Sequence, residues 1–164
     1  IQTYFSKSQY SVMSTVLLLN GPNLNLLDSG KTELYSKTAL KDFEKQVSLT
    51  LRERKIECLA FHSNSEQELI NWLDKRRDAE FLLLNPGALT NKSIKLRNTL
   101  LEIEIPFLEI KLSNTHKHEE FQHHSCFSDI AIGSLVGLGI KGYLLAAQFA
   151  VDYLEQMSKI SPND

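Results

Sequence analysis

The stretch "TVLLLNGPN" (residues 15–23) is a short apolar run that stops at an Asn-Gly-Pro turn. An uninterrupted aliphatic run of this length is typical of a parallel strand that is buried on both faces. The same arrangement returns in "EFLLLNPGA" (residues 80–88), where three leucines again precede Asn, Pro and Gly. The repeat predicts two equivalent strands of one sheet, each of which ends in a polar loop.

The rest of the chain alternates between short apolar runs and segments with apolar residues at helical spacing. Predicted strands and helices alternate five times, which is the pattern of an α/β domain with a doubly wound five-stranded parallel sheet and helices on both faces. The other strands are predicted at 56–63, 105–114 and 129–139, and the helices at 38–55, 65–78, 91–103 and 141–157.

Length and composition fit one ordinary globular domain, with 164 residues, 42% hydrophobic and 23% charged residues. The net charge of −2 gives no reason to expect nucleic acid or an anionic membrane as a partner. No apolar run reaches the ~18 residues of a membrane span. The two cysteines, Cys58 and Cys126, form no closely spaced pair, so we expect the cytoplasm or another reducing compartment.

The predicted domain covers residues 14–157 and is followed by a tail, 158–164. Residues 1–13 are an N-terminal extension without the apolar core of a secretory signal. The extension could be a native arm, a remnant of a processed precursor, or sequence added for expression. A processed remnant would be compatible with an organelle matrix.

Polar loops follow four of the predicted strands, with the sequences "NGPN", "HSNS", "NPGA" and "LSNTH". In doubly wound sheets, ligands bind beyond the carboxyl ends of the strands, so these loops predict one small-molecule binding face. The alternative is that turn residues merely end the strands. The first loop, 20–36, is long for a connection of this kind and contains no glycine-rich nucleotide fingerprint.

Four histidines lie within the stretch "EIKLSNTHKHEEFQHHS" (residues 109–125). A zinc site needs three or four ligands in a fitting geometry, and this segment could offer two or three. Acid/base chemistry is another possible use. We favour ordinary loop and interface histidines and predict no metal. The four are His116, His118, His123 and His124.

Five segments, "LLLNGPNLNLL", "SNSEQELINWL", "LLLNPGALT", "IPFLEIKLSN" and "GLGIKGYLLAA", resemble type II 3-dehydroquinate dehydratases. The resemblance is collinear from about Thr15 to Tyr153. It implies a flavodoxin-like fold and a lyase of the shikimate or quinate pathway that needs no metal or cofactor. It also implies a homo-oligomer built from trimers, up to a dodecamer, or a subunit of a larger assembly.

In the resembling family, a tyrosinate takes a proton beside the ketone and a histidine protonates the departing hydroxyl. An asparagine helps to hold a water, and a glutamate orients the histidine. The positions that match these catalytic roles are Tyr35, Asn23, Glu109 and Lys111. The positions that match the substrate-binding residues are Asn85, Asn91, Asn98, Leu112, Ser113, His118 and Gln122.

The chain departs from the family pattern at several of these positions. The arginine that activates the tyrosine falls on Gly30, and the catalytic histidine falls on Lys111. A substrate-binding histidine and an aspartate are replaced by the two asparagines, Asn91 and Asn98. Two arginines of the family are replaced by His118 and Gln122. The activation of the base, the acid and the residues that bind the substrate therefore all differ from the family pattern.

These departures weaken the expected chemistry. A tyrosine, with a reference pKa near ~10, needs a nearby cation to act as a base at neutral pH. Glu109 and Lys111 are two residues apart on a predicted strand, so they point to the same side and should form an ion pair. That pair favours the charged ammonium, which releases a proton less readily than a histidine would.

We therefore predict a catalytically inactive or strongly impaired member of the family, a pseudoenzyme that serves as a structural, assembly or ligand-binding subunit. The alternative is an active 3-dehydroquinate dehydratase, which forms 3-dehydroshikimate, or a lyase that acts on a related substrate.

Overall fold

The computed structural model describes residues 13–24, 37–117, 120 and 123–160. Strands and helices alternate through these ranges as the sequence predicts, and short 3-10 turns lie at Gly87–Leu89 and Thr115–Lys117. The elements are β1 (Thr15–Asn20), α1 (Lys37–Arg52), β2 (Glu57–His62), α2 (Glu66–Asp74), β3 (Phe81–Asn85), α3 (Ile94–Ile103), β4 (Phe107–Lys111), β5 (Gly133–Val136) and α4 (Lys141–Ile160).

The strands form one parallel sheet in the order β2-β1-β3-β4-β5, which is the flavodoxin-like order. This confirms the predicted α/β fold with a five-stranded, doubly wound sheet. The two strands with the repeated pattern, β1 and β3, are neighbours, and Asn20 lies opposite both His62 and Asn85 in the register. The polar loops that follow these strands therefore start from the same edge of the sheet.

Alternate residues of each strand enter different cores, because successive side chains point to opposite faces of a sheet. Leu17 and Leu82 pack with helices α2 and α3 on one face. Val16 and Leu83 pack with α1 and α4 on the other face. Across the described ranges, none of the helices is long and apolar enough to span a membrane.

Two predicted boundaries are wrong near the carboxyl end. The strand predicted at 129–139 is limited to Gly133–Val136, because the carbonyl of Phe127 accepts the N–H groups of Ile130 and Ala131 and holds a turn there. The closing helix continues to Ile160, so residues 158–160 are helical rather than part of a tail.

Candidate active site

The loops after β1 and β3 are joined by backbone hydrogen bonds. The N–H of Gly21 donates to the carbonyl of Asn85 at 2.8 Å, and the N–H of Ala88 donates to the carbonyl of Pro22 at 3.1 Å. These reciprocal bonds make the two Asn-Pro-Gly-type turns a single unit at the carboxyl edge of the sheet. We call this unit, residues 20–23 and 85–88, the paired turns.

Two glycines allow the paired turns to approach this closely. A Cβ atom on Gly21 would lie 2.2 Å from the carbonyl oxygen of Pro86, and one on Gly87 would lie 2.2 Å from that of Pro22. Gly87 also has a φ of +55°, which side chains other than glycine adopt at a cost. The contact therefore requires glycine at both positions.

Asn23, a predicted catalytic residue, lies exposed on the paired turns. Its φ of +68° is in the left-handed region, which asparagine tolerates better than most residues. Its N–H donates to the Oδ1 atom of Asn64, 3.2 Å away in the loop after β2. Three loops at the carboxyl edge are thus connected around Asn23.

A chain of hydrogen bonds runs beneath the paired turns. The N–H of Gly87 donates to Asn85 Oδ1 (3.2 Å), and Asn85 Nδ2 donates to the hydroxyl of Tyr143 (2.8 Å). That hydroxyl donates to Asn20 Oδ1 (2.6 Å), whose Nδ2 donates to Glu44 of α1 (2.8 Å). Burial raises the pKa of Tyr143 well above its usual range. The chain holds the ends of β1 and β3 to helices α1 and α4.

The side chain of Asn85, a predicted substrate-binding residue, thus makes its hydrogen bonds within the chain and is 3% exposed. Its role towards a substrate stays a prediction. Tyr143, which holds it, was not singled out from the sequence. The signal for Tyr143 was its place in "GLGIKGY", one of the segments that carried the family resemblance.

Glu109, the predicted orienting carboxylate, is fully buried on β4. Its Oε1 atom accepts the hydroxyl of Ser125 at 2.5 Å. Its Oε2 atom accepts the hydroxyls of Ser128 at 2.7 Å and Ser134 at 3.0 Å. Three hydroxyl donors therefore stabilise one buried carboxylate, and none of these serines was identified from the sequence.

Lys111 lies beside Glu109, as the spacing along the strand predicts. Its Nζ atom is 3.7 Å from Glu109 Oε1, and its side chain is 8% exposed. The predicted ion pair is confirmed. The separation is nevertheless longer than the ~2.7–2.9 Å of a charge-assisted hydrogen bond. The site thus holds a buried carboxylate with three hydroxyl donors and a buried amine next to it.

The other predicted binding residues lie further out. Leu112 and Ser113 follow β4, with Leu112 half-buried and Ser113 exposed, and the carbonyl of Leu112 accepts the N–H of Gly139 at 2.9 Å. Asn91 precedes α3 and Asn98 lies on it, and both are exposed. Asn98 lies on α3, whereas Glu109 and Lys111 lie on β4, and no hydrogen bond or ion pair between them occurs in the described part of the chain. Tyr35, Gly30, His118 and Gln122 lie outside the described residues.

The described histidines between β4 and β5, His116, His123 and His124, are exposed. The rings of His116 and His123 are 5.4 Å apart, and His124 follows His123 in the sequence. No group of three or more potential metal ligands occurs among the residues that the structure describes. These three histidines thus lie on the surface of the loop between β4 and β5.

Arg97 of α3 fixes the end of this loop. Its guanidinium contacts both carboxylate oxygens of Asp129, at 2.5 and 2.8 Å, and the carbonyl of Cys126 at 2.6 Å. The hydrogen bond from Arg97 lowers the pKa of Asp129. A cleft of about 580 Å³ opens beside this ion pair. It is lined by Ile94, Arg97, His123, His124, Ser125, Cys126, Ser128 and Asp129.

Comparisons with known proteins identify the family and agree with the fold. A 3-dehydroquinate dehydratase of Haemophilus influenzae (strain PittGG) is 45% identical over 140 residues, which is 85% of this chain and 94% of that protein. One from Mannheimia succiniciproducens is 46% identical over 145 residues, or 88% of this chain and 97% of that protein. The crystal structure of type II dehydroquinase from Propionibacterium acnes has a TM-score of 0.76 at 30% identity and covers 85% of this chain and 97% of that one. The model of the family described as dehydroquinase class II matches residues 14–151, and the chain belongs to that family.

Proposed function

We propose that the chain is a hydro-lyase that converts 3-dehydroquinate to 3-dehydroshikimate. The observation that carries the proposal is the carboxylate of Glu109, which matches the orienting glutamate of the family and lies fully buried at the carboxyl edge of the sheet, where it accepts three serine hydroxyls. The support from relatives is their name, 3-dehydroquinate dehydratase, at 45–46% identity. These relatives favour the active enzyme over the inactivity that the substitutions led us to expect.

In this proposal the loop after β1 carries the base. Tyr35 removes the proton beside the ketone, and Asn23 helps to hold the water that contacts the resulting enolate. Glu109 fixes the amine of Lys111 next to the reacting carbons. The ammonium of Lys111 donates a proton to the departing hydroxyl, which leaves as water, and the proton that Tyr35 removed then restores the ammonium. The assignment of Tyr35 and Asn23 follows from the family positions they match.

A second candidate function is a non-catalytic, ligand-binding or assembly subunit. The observation that favours it is that Lys111 occupies the position of the family's acid and has a carboxylate beside it. An ammonium that keeps its proton cannot protonate the leaving hydroxyl at the rate of a histidine. Gly30 stands in place of the arginine that activates the tyrosine, and this loss of a cation also favours the non-catalytic candidate.

The test is an assay of the purified protein with 3-dehydroquinate, followed by the ultraviolet absorbance of the conjugated enone product. The hydro-lyase predicts turnover that is lost in Tyr35→Phe and kept in Lys141→Arg, a surface control in which the positive charge is retained. Absence of turnover in the parent protein, together with its appearance in Gly30→Arg/Lys111→His, would establish the non-catalytic candidate instead.

We also propose that the protein is a homo-oligomer built from trimers, up to a dodecamer. Large apolar side chains are exposed on one face of α3, with Ile94 at 59% and Leu101 at 51%. Leu145 on α4 is exposed at 52%. Surfaces of this kind commonly form protein interfaces. Light scattering of the purified protein tests the proposal, and a monomer at micromolar concentration would refute it.

The proposed location is the cytoplasm or another reducing compartment. Support comes from Cys58 and Cys126, which are both free thiols on different faces of the sheet. The relatives above are bacterial proteins, which is compatible with a cytoplasmic enzyme.

A further inference from the structure

The three serines that bind Glu109 are held in place by different means. Ser134 donates to Glu109 at 3.0 Å from β5, and the parallel pairing of β4 with β5 sets it opposite Glu109. Ser125 (2.5 Å) and Ser128 (2.7 Å) come from the loop between these strands. We call residues 125–129 the serine segment. Strand pairing fixes only one of the three donors, so the other two depend on the contacts of the serine segment.

Two hydrogen bonds fix the start of the serine segment. The hydroxyl oxygen of Ser125 accepts the N–H of Phe127 at 3.1 Å, so its own proton is free to go to the carboxylate. The N–H of Cys126 donates to the carbonyl of Thr90 at 2.7 Å, which ties this part of the loop to the turn before α3. Both bonds lie on the amino-terminal side of Ser128.

Arg97 of α3 holds the serine segment on both sides of Ser128. Its guanidinium donates to the carbonyl of Cys126 at 2.6 Å and to the two carboxylate oxygens of Asp129 at 2.5 and 2.8 Å. A planar guanidinium can satisfy acceptors at several fixed angles at once, which gives the contact geometric precision. The positions of residues 126 and 129 are therefore set from α3, and Ser128 lies between them.

The serine segment has room to move if this contact is lost. Arg97, Ser125, Ser128 and Asp129 all line the same cleft of about 580 Å³. Close packing therefore does not replace the hydrogen bonds of Arg97 on this side of the segment. An ion pair that is partly open to solvent contributes little to stability, so its main effect should be on geometry.

We propose that Arg97 is a positioning residue for the reaction, acting through the serine segment on Glu109. Glu109 in turn holds the amine of Lys111, 3.7 Å away. The inference rests on the proposed function, since that function gives Glu109 and Lys111 their roles. Arg97 itself touches neither of them in the described part of the chain, so it acts only through other residues.

Loss of a positioning residue has a characteristic effect on the kinetics. A catalytic group that is displaced by about 1 Å can cost as much as 100-fold in rate. The groups that bind the substrate are not altered, so KM should change little while kcat falls. We expect Arg97→Gln to lower kcat about 10- to 100-fold.

The experiment compares Arg97→Gln, Ser128→Ala and the double variant in the full chain, with 3-dehydroquinate as substrate. The matched control is Arg77→Gln, which removes the ion pairs of another arginine with Asp74 and Glu102. The control should keep the parent kcat. Because Arg97 acts through the serine segment, the double variant should lose less activity than the product of the two single losses.

A second measurement reports on Glu109 without any turnover. The protein is labelled with glutamate that carries ¹³C in the side-chain carboxyl, and the signal of Glu109 is assigned from its absence in Glu109→Gln and its shift in Ser134→Ala. The signal should move in Arg97→Gln and in Ser128→Ala, and should stay in place in Arg77→Gln. Thermal unfolding shows that each variant is folded.

These results separate the positioning role from the hydro-lyase. A Glu109 signal that does not move in Arg97→Gln overturns the positioning role, whether or not the parent protein turns over the substrate. Losses of kcat that multiply in the double variant, or a loss no larger than that of Arg77→Gln, also overturn it. If the parent protein shows no turnover, the hydro-lyase is refuted, and the carboxyl signal alone decides whether Arg97 positions Glu109.

Discussion

Replacement of Tyr143 by phenylalanine tests whether the hydrogen-bond chain beneath the paired turns stabilises the fold. The ring can stay in place, because only the hydroxyl is removed. Asn20 Oδ1 then loses its donor and Asn85 Nδ2 loses its acceptor, and these residues are 0% and 3% exposed. Each unsatisfied buried group costs about 1–3 kcal/mol, so the free energy of unfolding should fall by about 2–6 kcal/mol.

The assay is urea denaturation, with thermal unfolding as a second measurement. For a chain of this size, about 1 kcal/mol shifts Tm by roughly 2–4 °C, so Tyr143→Phe should lower Tm by about 4 °C or more. The matched control is Tyr153→Phe. The ring of Tyr153 packs on Phe81 with centroids 5.0 Å apart, and no hydrogen bond of its hydroxyl occurs in the described part of the chain. Its loss should change the free energy of unfolding by less than about 0.5 kcal/mol.

Equal stability of Tyr143→Phe and the parent protein would refute the reasoning, because two orphaned amides would then cost nothing. An equal loss in both tyrosine variants would also refute it, since the effect would belong to phenol hydroxyls in general. Alkaline pH offers an independent check. Burial raises the pKa of Tyr143, so its contribution is complete below the unfolded value of ~10 and is lost as pH rises beyond it.

Three further predictions concern other parts of the structure. Gly87→Ala should lower the free energy of unfolding by about 2–4 kcal/mol in urea denaturation, because its Cβ would lie 2.2 Å from a carbonyl oxygen at a φ of +55°. The matched control is Gly142→Ala, whose Cβ would lie no closer than 3.7 Å to another side chain, so the free energy of unfolding should change by less than about 0.5 kcal/mol. Similar losses in Gly87→Ala and Gly142→Ala would contradict the steric argument. Arg97→Gln should raise the pKa of Asp129 in an NMR titration, because the hydrogen bond from the guanidinium lowers that pKa. The ion pair stabilises the protein above the pKa of Asp129 in the unfolded chain, and this stabilisation is lost as pH falls through the pKa of Asp129 in the folded protein. An unchanged titration would argue against the ion pair. Burial raises the pKa of the Cys58 thiol to about 12, so alkylation of Cys58 at pH 8, measured by peptide mapping, should be far slower in the folded protein than in urea. The stabilising contribution of the protonated thiol should disappear as pH rises from about 9 towards 12. Equal alkylation rates in the folded and unfolded protein would contradict the burial of Cys58.

Much of the fold follows from local sequence patterns. Buried strands such as "LLLN" are recognisable as apolar runs, and the alternation with amphipathic helices restricts the chain to a doubly wound sheet. The helix predicted from residue 65 begins at Glu66 as α2, and the hydroxyl of the preceding Ser65 accepts the N–H of Glu68. The ion pair of Glu109 and Lys111 followed from a two-residue spacing on one strand. These features depend on neighbours in the sequence.

The remaining features depend on contacts between distant residues. Tyr143 meets Asn20 across 123 positions, and Ser134 meets Glu109 across 25. Nothing in the local pattern distinguishes the serines around Glu109 from ordinary loop serines. The strand β5 was predicted too long, because the turn held by the carbonyl of Phe127 replaces regular pairing before Gly133. Only the packed structure selects these partners.

The paired turns have a practical consequence for redesign of the protein. Because each glycine makes room for the opposing proline turn, the two loops can be altered only together, and an insertion in either would push the other aside. Glu109 and Lys111 at the end of β4 are constrained in another way, by their buried ion pair and by the three serine hydroxyls that bind Glu109. Redesign of the site should therefore change Glu109 and Lys111 as one unit and leave the hydrogen-bonded paired turns unaltered.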